Sequence, residues 1–582
     1  MKNQDNQTLP TKKSMRDILS IPWLASLLDA IAFFILYLFV FRPGYQVDDD
    51  ITMIQLVSGY FGKPVPFMVF SNVILGFLLN LLYRLPTNLN WEILIFFGIN
   101  FLCVWCLVTI VLSMPLKFAY RFFGILVILA SDSLFLLNIT FTMIAAFAAI
   151  SGFVSILAAT YKGSRFSRRM LIFGGLLVLA GSLIRVESFL LVLLMIFPSW
   201  LFICRFFDLK KLSISLLAAI FAVALFYLFN TIYVKSSPQW DSFYTYDNVR
   251  SQLQDTPRIH LLNDKNIYSD VGWNFNDYKL FVSWFFPDEQ LFSLSNLQYL
   301  VSHVPGAEKN VLSAAASYFY PKPFFDDVDS FPYFFMMAAG LLAAAIYPSF
   351  RKAVWPLVIL WLTFLILIFY LIWTEKIPVH VWDSFLATAC VFGLFILLWV
   401  KSDDLLRPRS RRTNVFAFIV PGLLCAAGLY ALYYAFVTTQ LNAAKQTAYQ
   451  SELSDLKTLQ AQGKIQSNAL IVSPALGIPL IWSNPMVLDF PSAKYVEMGW
   501  LTFSPSYYDV LHEFDVQSLP AGFYQNDNVY LMVKANLRDS VVEFIADHAG
   551  VTVAPRLIYS PPNYDFDSDY NNVRLFQLIL QK

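Results

Sequence analysis

Apolar stretches about as long as a bilayer is thick dominate this sequence of 582 residues. A membrane-spanning helix needs about 20 mostly apolar residues, because each residue advances the helix by about 1.5 Å through a hydrocarbon core about 30 Å thick. The candidate spans are 21–41, 91–113, 117–137, 139–161, 170–184, 187–204, 212–233, 331–349, 353–373, 381–400 and 414–437. Of all residues 57% are hydrophobic and 14% are charged, which is typical of membrane proteins. The sequence predicts an α-helical polytopic membrane protein with about 11 transmembrane helices.

The distribution of Lys and Arg between the spans predicts which ends face the cytoplasm. Residues 1–20 form a polar tail with Lys12, Lys13 and Arg16, and no small-residue cleavage site follows, so the first span is expected to act as a signal anchor. Further basic loops occur at 162–169, 210–211, 351–352 and 401–412. If the apolar run 67–83 crossed the bilayer, the loop 162–169 would lie on the opposite side of the membrane from the tail. If that run instead lies along the membrane–water interface, all these loops and the tail lie on the same side. The positive-inside rule then predicts a plasma-membrane protein with a cytoplasmic N-terminus and an extracytoplasmic C-terminus.

This topology predicts a transmembrane domain at 21–437 and three extracytoplasmic pieces. They are a first external loop at 42–90, an insert at 234–330 and a C-terminal domain at 438–582. In the C-terminal domain 440–462 and 538–548 are helix-prone, and β-rich apolar runs occur at 469–472, 528–533 and 573–580. We expect a small α/β domain there. Since it has no glycine-rich phosphate loop, a binding or lid role is favoured over catalysis.

Charge, cysteine and histidine placement argue against several other functions. The net charge is only +1, so no nucleic-acid partner is expected. All five cysteines lie in apolar runs, which argues against a disulfide framework or a thiolate metal site. No two histidines have the spacing of metal ligands.

Three consecutive carboxylates, Asp48, Asp49 and Asp50, follow the first span and precede an apolar helical pattern. Carboxylates at a helix N-terminus gain from the helix dipole, but adjacent carboxylates in a partly dry site repel each other. Either one of them has a raised pKa, as a general base acting on a sugar hydroxyl requires, or Asp48 and Asp49 share a divalent cation such as Mg²⁺ or Mn²⁺. A solvated loop is the alternative interpretation.

Other charged side chains are predicted at the same external face. Arg185 and Glu187 lie between two short spans, Lys63 lies in the first external loop, and Lys376 and His380 lie between the ninth and tenth spans. Charges at membrane depth are costly and by default mark a functional site. Arg185 is the best suited to bind a phosphate, because its planar fork matches phosphate oxygens. Two structural interpretations stay open: Arg185 and Glu187 as an ion pair, and Lys63 as an interface anchor.

This pattern resembles the GT-C class of membrane glycosyltransferases, which includes protein mannosyltransferases and aminoarabinose transferases. In that class an acidic residue or pair opens the first external loop, as Asp48, Asp49 and Asp50 do here. In some members a Lys-Pro element, here Lys63-Pro64, precedes a second interfacial helix. The stretch 49–64 also resembles uncharacterised bacterial surface-polysaccharide transferases. A Trp-Trp-Asp acceptor motif like that of oligosaccharyltransferases is not found, which argues against N-glycosylation.

The resemblance implies a reaction and its partners. The donor would be a polyprenyl-phosphate-linked sugar in the outer leaflet of the bilayer, and the acceptor a cell-surface polysaccharide, a glycolipid or a protein. An aspartate of the triplet would deprotonate the acceptor hydroxyl, which attacks the anomeric carbon with inversion. The lipid phosphate would leave toward Arg185, Lys63 or a bound divalent ion, with Glu187, His380 and Lys376 completing the phosphate-binding face. Aromatic residues of the insert would either stack on acceptor sugars or pack a lid.

A transporter or flippase of lipid-linked saccharides is the alternative function. Transporters usually place charges near the bilayer midplane on broken helices and often show repeated halves. Here the charges cluster on one face and no repeat is detected. A membrane sensor would need a cytoplasmic signalling module, and the predicted cytoplasmic loops are short. These observations favour an enzyme.

Overall fold

The computed structural model describes residues 21–86, 88–162, 168–264, 266–304, 331–373, 379–405, 419–474 and 477–581. The helices of the first part are α1 (Pro22–Val40), α2 (Asp49–Ser58), α3 (Val73–Leu82), α4 (Trp91–Ser113), α5 (Phe118–Leu137), α6 (Phe141–Thr160), α7 (Arg168–Ile184), α8 (Val186–Ile203) and α9 (Leu209–Lys235). The insert follows with α10 (Pro238–Gln254), α11 (Arg258–Asp264), α12 (Phe275–Val282) and α13 (Leu294–His303). Long apolar helices return as α14 (Phe331–Ile346), α15 (Val354–Trp373), α16 (Val379–Leu405) and α17 (Ile419–Ala461), and α18 (Pro505–Glu513), α19 (Leu519–Gln525) and α20 (Ala535–Ala549) lie in the C-terminal part.

Nine helices of the described residues are long and apolar enough to cross a membrane, namely α1, α4, α5, α6, α8, α9, α15, α16 and α17. The chain is therefore a polytopic helical membrane protein, as the sequence predicted. The two other predicted spans, α7 and α14, are helical but have only 17 and 16 residues. Eleven spans therefore stays a prediction.

The apolar run 67–83 forms only the ten-residue helix α3. Ten residues rise about 15 Å, which is half the thickness of the hydrocarbon core, so this run does not cross the bilayer as a single helix. The helix begins where the Asn72 side chain accepts a hydrogen bond of 3.0 Å from the Ile74 N–H. This length fits the interfacial placement on which the predicted topology depends.

Helix α6 lies at the centre of the bundle, and its apolar stretch is buried throughout. Its neighbour α7 approaches so closely that the two backbones almost touch. A Cβ atom at Gly152 would lie 2.6 Å from the carbonyl oxygen of Gly174 on α7. Small residues allow membrane helices to pack at such short distances.

A Gly152→Leu substitution is expected to force α7 away from α6. Overpacking of this kind should lower the free energy of unfolding by about 1–3 kcal/mol or more, measured by thermal unfolding of the detergent-purified protein. The matched control is Gly175→Leu on α7, where a Cβ meets nothing within 4 Å, and it should leave the midpoint unchanged. Equal destabilisation by both variants would contradict the proposed close packing.

Several basic loops meet at one end of the bundle. The ring of Phe207, which follows the loop residue Arg205, lies 5.2 Å from the ring of Trp399 near the end of α16. On the same helix Asp403 forms a 3.0 Å ion pair with Lys352. Loops from three parts of the chain are therefore close together, as expected if they share one side of the membrane.

The strands are β1 (Gly44–Tyr45), β2 (Asn138–Ile139), β3 (Leu470–Ser473), β4 (Lys494–Glu497), β5 (Val529–Lys534), β6 (Val553–Tyr559) and β7 (Val573–Leu580). The last five form one sheet in the order β4-β3-β5-β7-β6, with β4, β3 and β5 parallel and β7 antiparallel to both of its neighbours. The three predicted β-rich runs coincide with β3, β5 and β7. The polar run 440–462 forms no separate helix, because it continues the last span in the 43-residue helix α17.

The segment 42–90, predicted as the first external loop, is hydrogen-bonded to this sheet. The Tyr60 hydroxyl accepts a hydrogen bond of 2.9 Å from the Tyr495 N–H, and the Lys494 Nζ donates one of 2.8 Å to the Tyr60 carbonyl oxygen. These contacts fix β4 beside the loop that carries the acidic triplet. Glu497, the last residue of β4, is thereby brought to the candidate site.

Candidate functional site

The acidic triplet is positioned by a short parallel pairing of β1 with β2. The pairing continues one residue further, where the Gln46 N–H donates to the carbonyl oxygen of Ile139 at 3.1 Å. Helix α2 begins four residues after the end of β1, and α6 begins two residues after the end of β2. The N-termini of the two helices therefore lie side by side, with Asp48 at the N-cap of α2 and Asp49 and Asp50 in its first turn.

A cavity of about 760 Å³ opens at this end of α2. Its lining residues come from the first loop, the junction of α7 and α8, α10, the start of α16 and the segment after β4. They are Asp48, Asp49, Thr52, Phe70, Arg185, Asp247, Arg250, Ser251, Asp255, Trp284, His380, Glu497, Met498, Gly499, Trp500 and Leu501. Four of the predicted site residues, Asp48, Asp49, Arg185 and His380, are therefore brought together.

Asp49 has the carboxylate best suited to accept a proton. Burial raises its pKa, and the charge of Asp48 raises the pKa further. The charge of Arg185 and a hydrogen bond from the Trp500 side chain act in the opposite direction, and the resulting pKa is about 7. A group with this pKa is partly ionised at neutral pH, which is the condition for an efficient general base.

Asp48 and Glu497 line the cavity together with Asp49. Asp48 opens onto the cavity solvent, yet enough protein surrounds it for burial to raise its pKa. Burial and the charge of Asp48 raise the pKa of Glu497 well above its usual range. The wall of the cavity beside α2 is therefore strongly acidic when these groups are ionised.

Asp48 and Asp49 were predicted to share a divalent cation. The described part of the chain contains no group of three or more His, Cys, Asp or Glu side chains that could hold a metal ion. Two carboxylates such as those of Asp48 and Asp49 hold Mg²⁺ only together with oxygens of substrate phosphate and water. The protein residues thus do not form a complete ligand set. The cation stays a prediction, and no step proposed below depends on it.

Asp50 does not line the cavity. Its side chain is fully buried, and its Oδ1 accepts a hydrogen bond of 2.9 Å from the Phe141 N–H at the start of α6. This N–H has no partner within its own helix, so the carboxylate caps α6. Although Asp50 was predicted as one of three catalytic aspartates, its contacts are those of a residue that orients α2 relative to α6.

Arg185 lies half-buried between α7 and α8. Its guanidinium donates to the Thr142 hydroxyl and lies 4.7 Å from the centroid of the Phe141 ring. Among the described residues it forms no ion pair within 4 Å, and the Glu187 side chain is exposed. Residues two positions apart at the start of a helix point in different directions, which explains why the considered Arg185–Glu187 pair is not observed. The charge of Arg185 is thus directed at the cavity.

The other predicted phosphate-binding residues have different positions. His380 is buried at the start of α16 and lines the cavity. Glu187 lines a neighbouring cavity of about 690 Å³, and Phe70 is common to the linings of the two cavities. Lys63 is exposed and lines neither cavity. Lys376 lies outside the described residues.

No protein-family model matches this chain, and no curated protein does. What the site can do therefore follows from its own residues. Asp48, Asp49 and Glu497, of which Asp49 has a pKa of about 7, line one cavity together with Arg185 at one end of the helical bundle. Such a site can take a proton from one bound group and stabilise negative charge on another.

A charged cluster at the C-terminal end of α10 was not predicted from the sequence. Arg250 is buried, its Nε and Nη2 donate to Asp247 Oδ1 at 3.0 and 2.7 Å, and its Nη1 lies 3.3 Å from Asp255 Oδ1. Its guanidinium lies 4.8 Å from the centroid of the Trp284 ring. The i, i+3 spacing of Asp247 and Arg250 was a detectable signal of an ion pair. Glu497 had no local signal, because only the docking of the sheet brings it to the site.

Proposed function

We propose that this protein is a membrane glycosyltransferase that moves a sugar from a polyprenyl-phosphate donor to a hydroxyl of an extracytoplasmic acceptor. The observation that carries the proposal is that Asp49 and Arg185 line the same cavity. Asp49 has a pKa of about 7, and Arg185 lacks an ion pair among the described residues. A proton acceptor and an anion-binding group are the two elements that this transfer needs.

In the proposed reaction, Asp49 accepts the proton of the acceptor hydroxyl while the hydroxyl oxygen attacks the anomeric carbon. The bond between that carbon and the phosphate oxygen breaks on the opposite face, so the configuration inverts. The electron pair of the broken bond stays on the polyprenyl phosphate. Arg185 balances the charge that develops there, and its fork suits two phosphate oxygens.

The proposed orientation places the acidic cavity outside and the basic loops in the cytoplasm. The donor then approaches from the outer leaflet, with eleven spans below and the C-terminal α/β domain above. In support, residues 497–501, from the last residue of β4 onward, form part of the cavity wall. Asn276 of the insert donates to the Ser540 carbonyl oxygen at 2.8 Å, so the insert and the C-terminal segment are joined. We assign the insert and the C-terminal segment to acceptor binding and to covering the site.

A flippase of lipid-linked saccharides is the second candidate, and two acidic residues inside spans are the observation to weigh for it. Glu92 and Asp132 are fully buried, and their carboxylate oxygens have no hydrogen-bond partner among the described residues. Glu92 is the second residue of α4, and Asp132 lies five residues before the end of α5, about 8 Å along that helix. Both therefore lie near the ends of their helices and not at the midplane that transporters use for coupling sites.

The pH dependence of transfer tests the proposal. Asp49 holds its proton below a pH of about 7 and is a free base above it, so the initial rate should rise as pH passes through about 7. The rate is measured for the purified protein with a polyprenyl-phosphate sugar and an acceptor saccharide. In Asp48→Asn the like charge that raises the pKa of Asp49 is gone, so the midpoint should move to lower pH.

A flippase would move labelled donor between the leaflets of proteoliposomes without forming a glycosylated product. That result would overturn the enzyme proposal. A transfer rate that is independent of pH from about 5 to 9 would show that no group with the pKa of Asp49 acts as the base.

A further inference from the structure

A third cavity lies between helices of the bundle and is almost wholly apolar. It has a volume of about 370 Å³ and is enclosed by α5, α14, α15, α16 and the start of α17. Glycines on three of these helices, Gly124, Gly340 and Gly393, border it and leave the space open. Ala119 at its rim is exposed, so the cavity communicates with the surroundings of the bundle.

This apolar cavity is remote from the acidic one. Both border α16, but His380 lines the acidic cavity and Gly393 lines the apolar one. The two residues are 13 positions apart, which corresponds to about 20 Å along the helix. The apolar cavity therefore lies toward the end of the bundle where the basic loops meet.

A buried cation lies at this end of the apolar cavity. Lys401 on α16 is only 8% exposed. Its Nζ lies 5.3 Å from the centroid of the Tyr120 ring and 5.4 Å from that of Phe350, and both rings line the cavity. Aromatic faces attract an ammonium group and hold it in place. The site thus combines an apolar chamber with a positive charge at one end.

We propose that this cavity binds one acyl chain of an anionic phospholipid, with the lipid phosphate beside Lys401. Water is a poor occupant, because a buried water needs two to four polar partners and the lining offers few. An apolar cavity of about 150 Å³ already takes up apolar ligands, and this one is larger. In a membrane the available apolar molecules are lipids, and basic pockets between membrane helices select anionic headgroups. The inference does not rest on the proposed glycosyl transfer.

The experiment compares retention of two lipids by the full-length protein. The protein is purified in detergent containing either phosphatidylglycerol or phosphatidylcholine with identical chains, and retained lipid is counted by native mass spectrometry. Phosphatidylglycerol should be retained in preference. Lys401→Gln should reduce that preference about fivefold, the effect of removing one basic residue from an anionic surface.

The cavity itself is tested by Gly340→Leu. A Cβ atom at Gly340 meets only Leu397 Cδ1, at an ordinary 3.6 Å, so the new side chain can fill the cavity without moving the helix. This variant should lose the retained lipid. Gly98→Leu on α4 makes the same change where a Cβ meets nothing within 4 Å, and it should retain the lipid as wild type does.

Retention by Gly340→Leu equal to that of Gly98→Leu would overturn the assignment of the cavity. Equal retention of the two lipids by wild type, unchanged in Lys401→Gln, would overturn the role of the anionic headgroup. Lys401→Gln removes the charge without filling the cavity, so it tests the proposal even if Gly340→Leu does not fold.

Discussion

An Asp49→Asn variant is expected to lose about 10²- to 10⁴-fold of the sugar-transfer rate, the usual contribution of a general base. The amide has nearly the same shape as the carboxylate, but it cannot accept the proton of the acceptor hydroxyl. Its oxygen can still accept the hydrogen bond from the Trp500 side chain, so the cavity wall should keep its geometry. The measurement is kcat at saturating polyprenyl-phosphate sugar and acceptor.

A stability measurement separates this loss from misfolding. The folded-state pKa of Asp49 is about 7, above the ordinary value of 3.8. Between these pH values the unfolded chain loses the proton and the folded protein keeps it, so the free energy of unfolding falls as pH rises. Removing the charge should therefore increase the thermal midpoint more at pH 8 than at pH 5. A variant that is stable in this way and yet retains full kcat would exclude Asp49 as the base.

The membrane architecture could be predicted because its signal is local. A run of about twenty apolar residues is long enough as a helix to cross the hydrocarbon core, whatever the rest of the chain does. Counting basic loops then placed the run 67–83 at the interface, and the structure gives it a helix of only ten residues. The predicted boundary between the transmembrane and C-terminal domains, at residue 438, falls inside α17. The helix continues there while its sequence changes from apolar to polar, so the change in composition does not mark a helix end.

The site was predicted only in part, because it is assembled from distant segments. Asp49 and Arg185 were identified by charge at membrane depth, but Glu497 reaches the cavity only through the docking of β4. Lys63 was predicted at the site because it is close to the triplet in sequence, but it does not line the cavity. It follows α2, whose ten residues put about 15 Å between their ends, and Gly59 and Gly62, with φ of 81° and 114°, turn the chain there.

Arg185→Gln is expected to lower kcat by about 10²- to 10³-fold, the usual effect of removing one group that stabilises developing negative charge. The guanidinium is held by Thr142 and by the Phe141 ring, so its position is fixed before the phosphate binds. Arg185→Lys keeps the charge but not the fork and should lose less. Because the charge of Arg185 lowers the pKa of Asp49, the pH midpoint of Arg185→Gln should also move upward.

Lys63→Gln is the matched control for this charge. Both residues were predicted to bind the lipid phosphate, but of the two only Arg185 lines the cavity that contains Asp49. Lys63→Gln should therefore retain the wild-type kcat and the wild-type pH midpoint, because an exposed charge at the far end of α2 is screened by solvent. If Lys63→Gln lost as much activity as Arg185→Gln, the phosphate would have to lie in front of Lys63, and the cavity would not be the site of transfer.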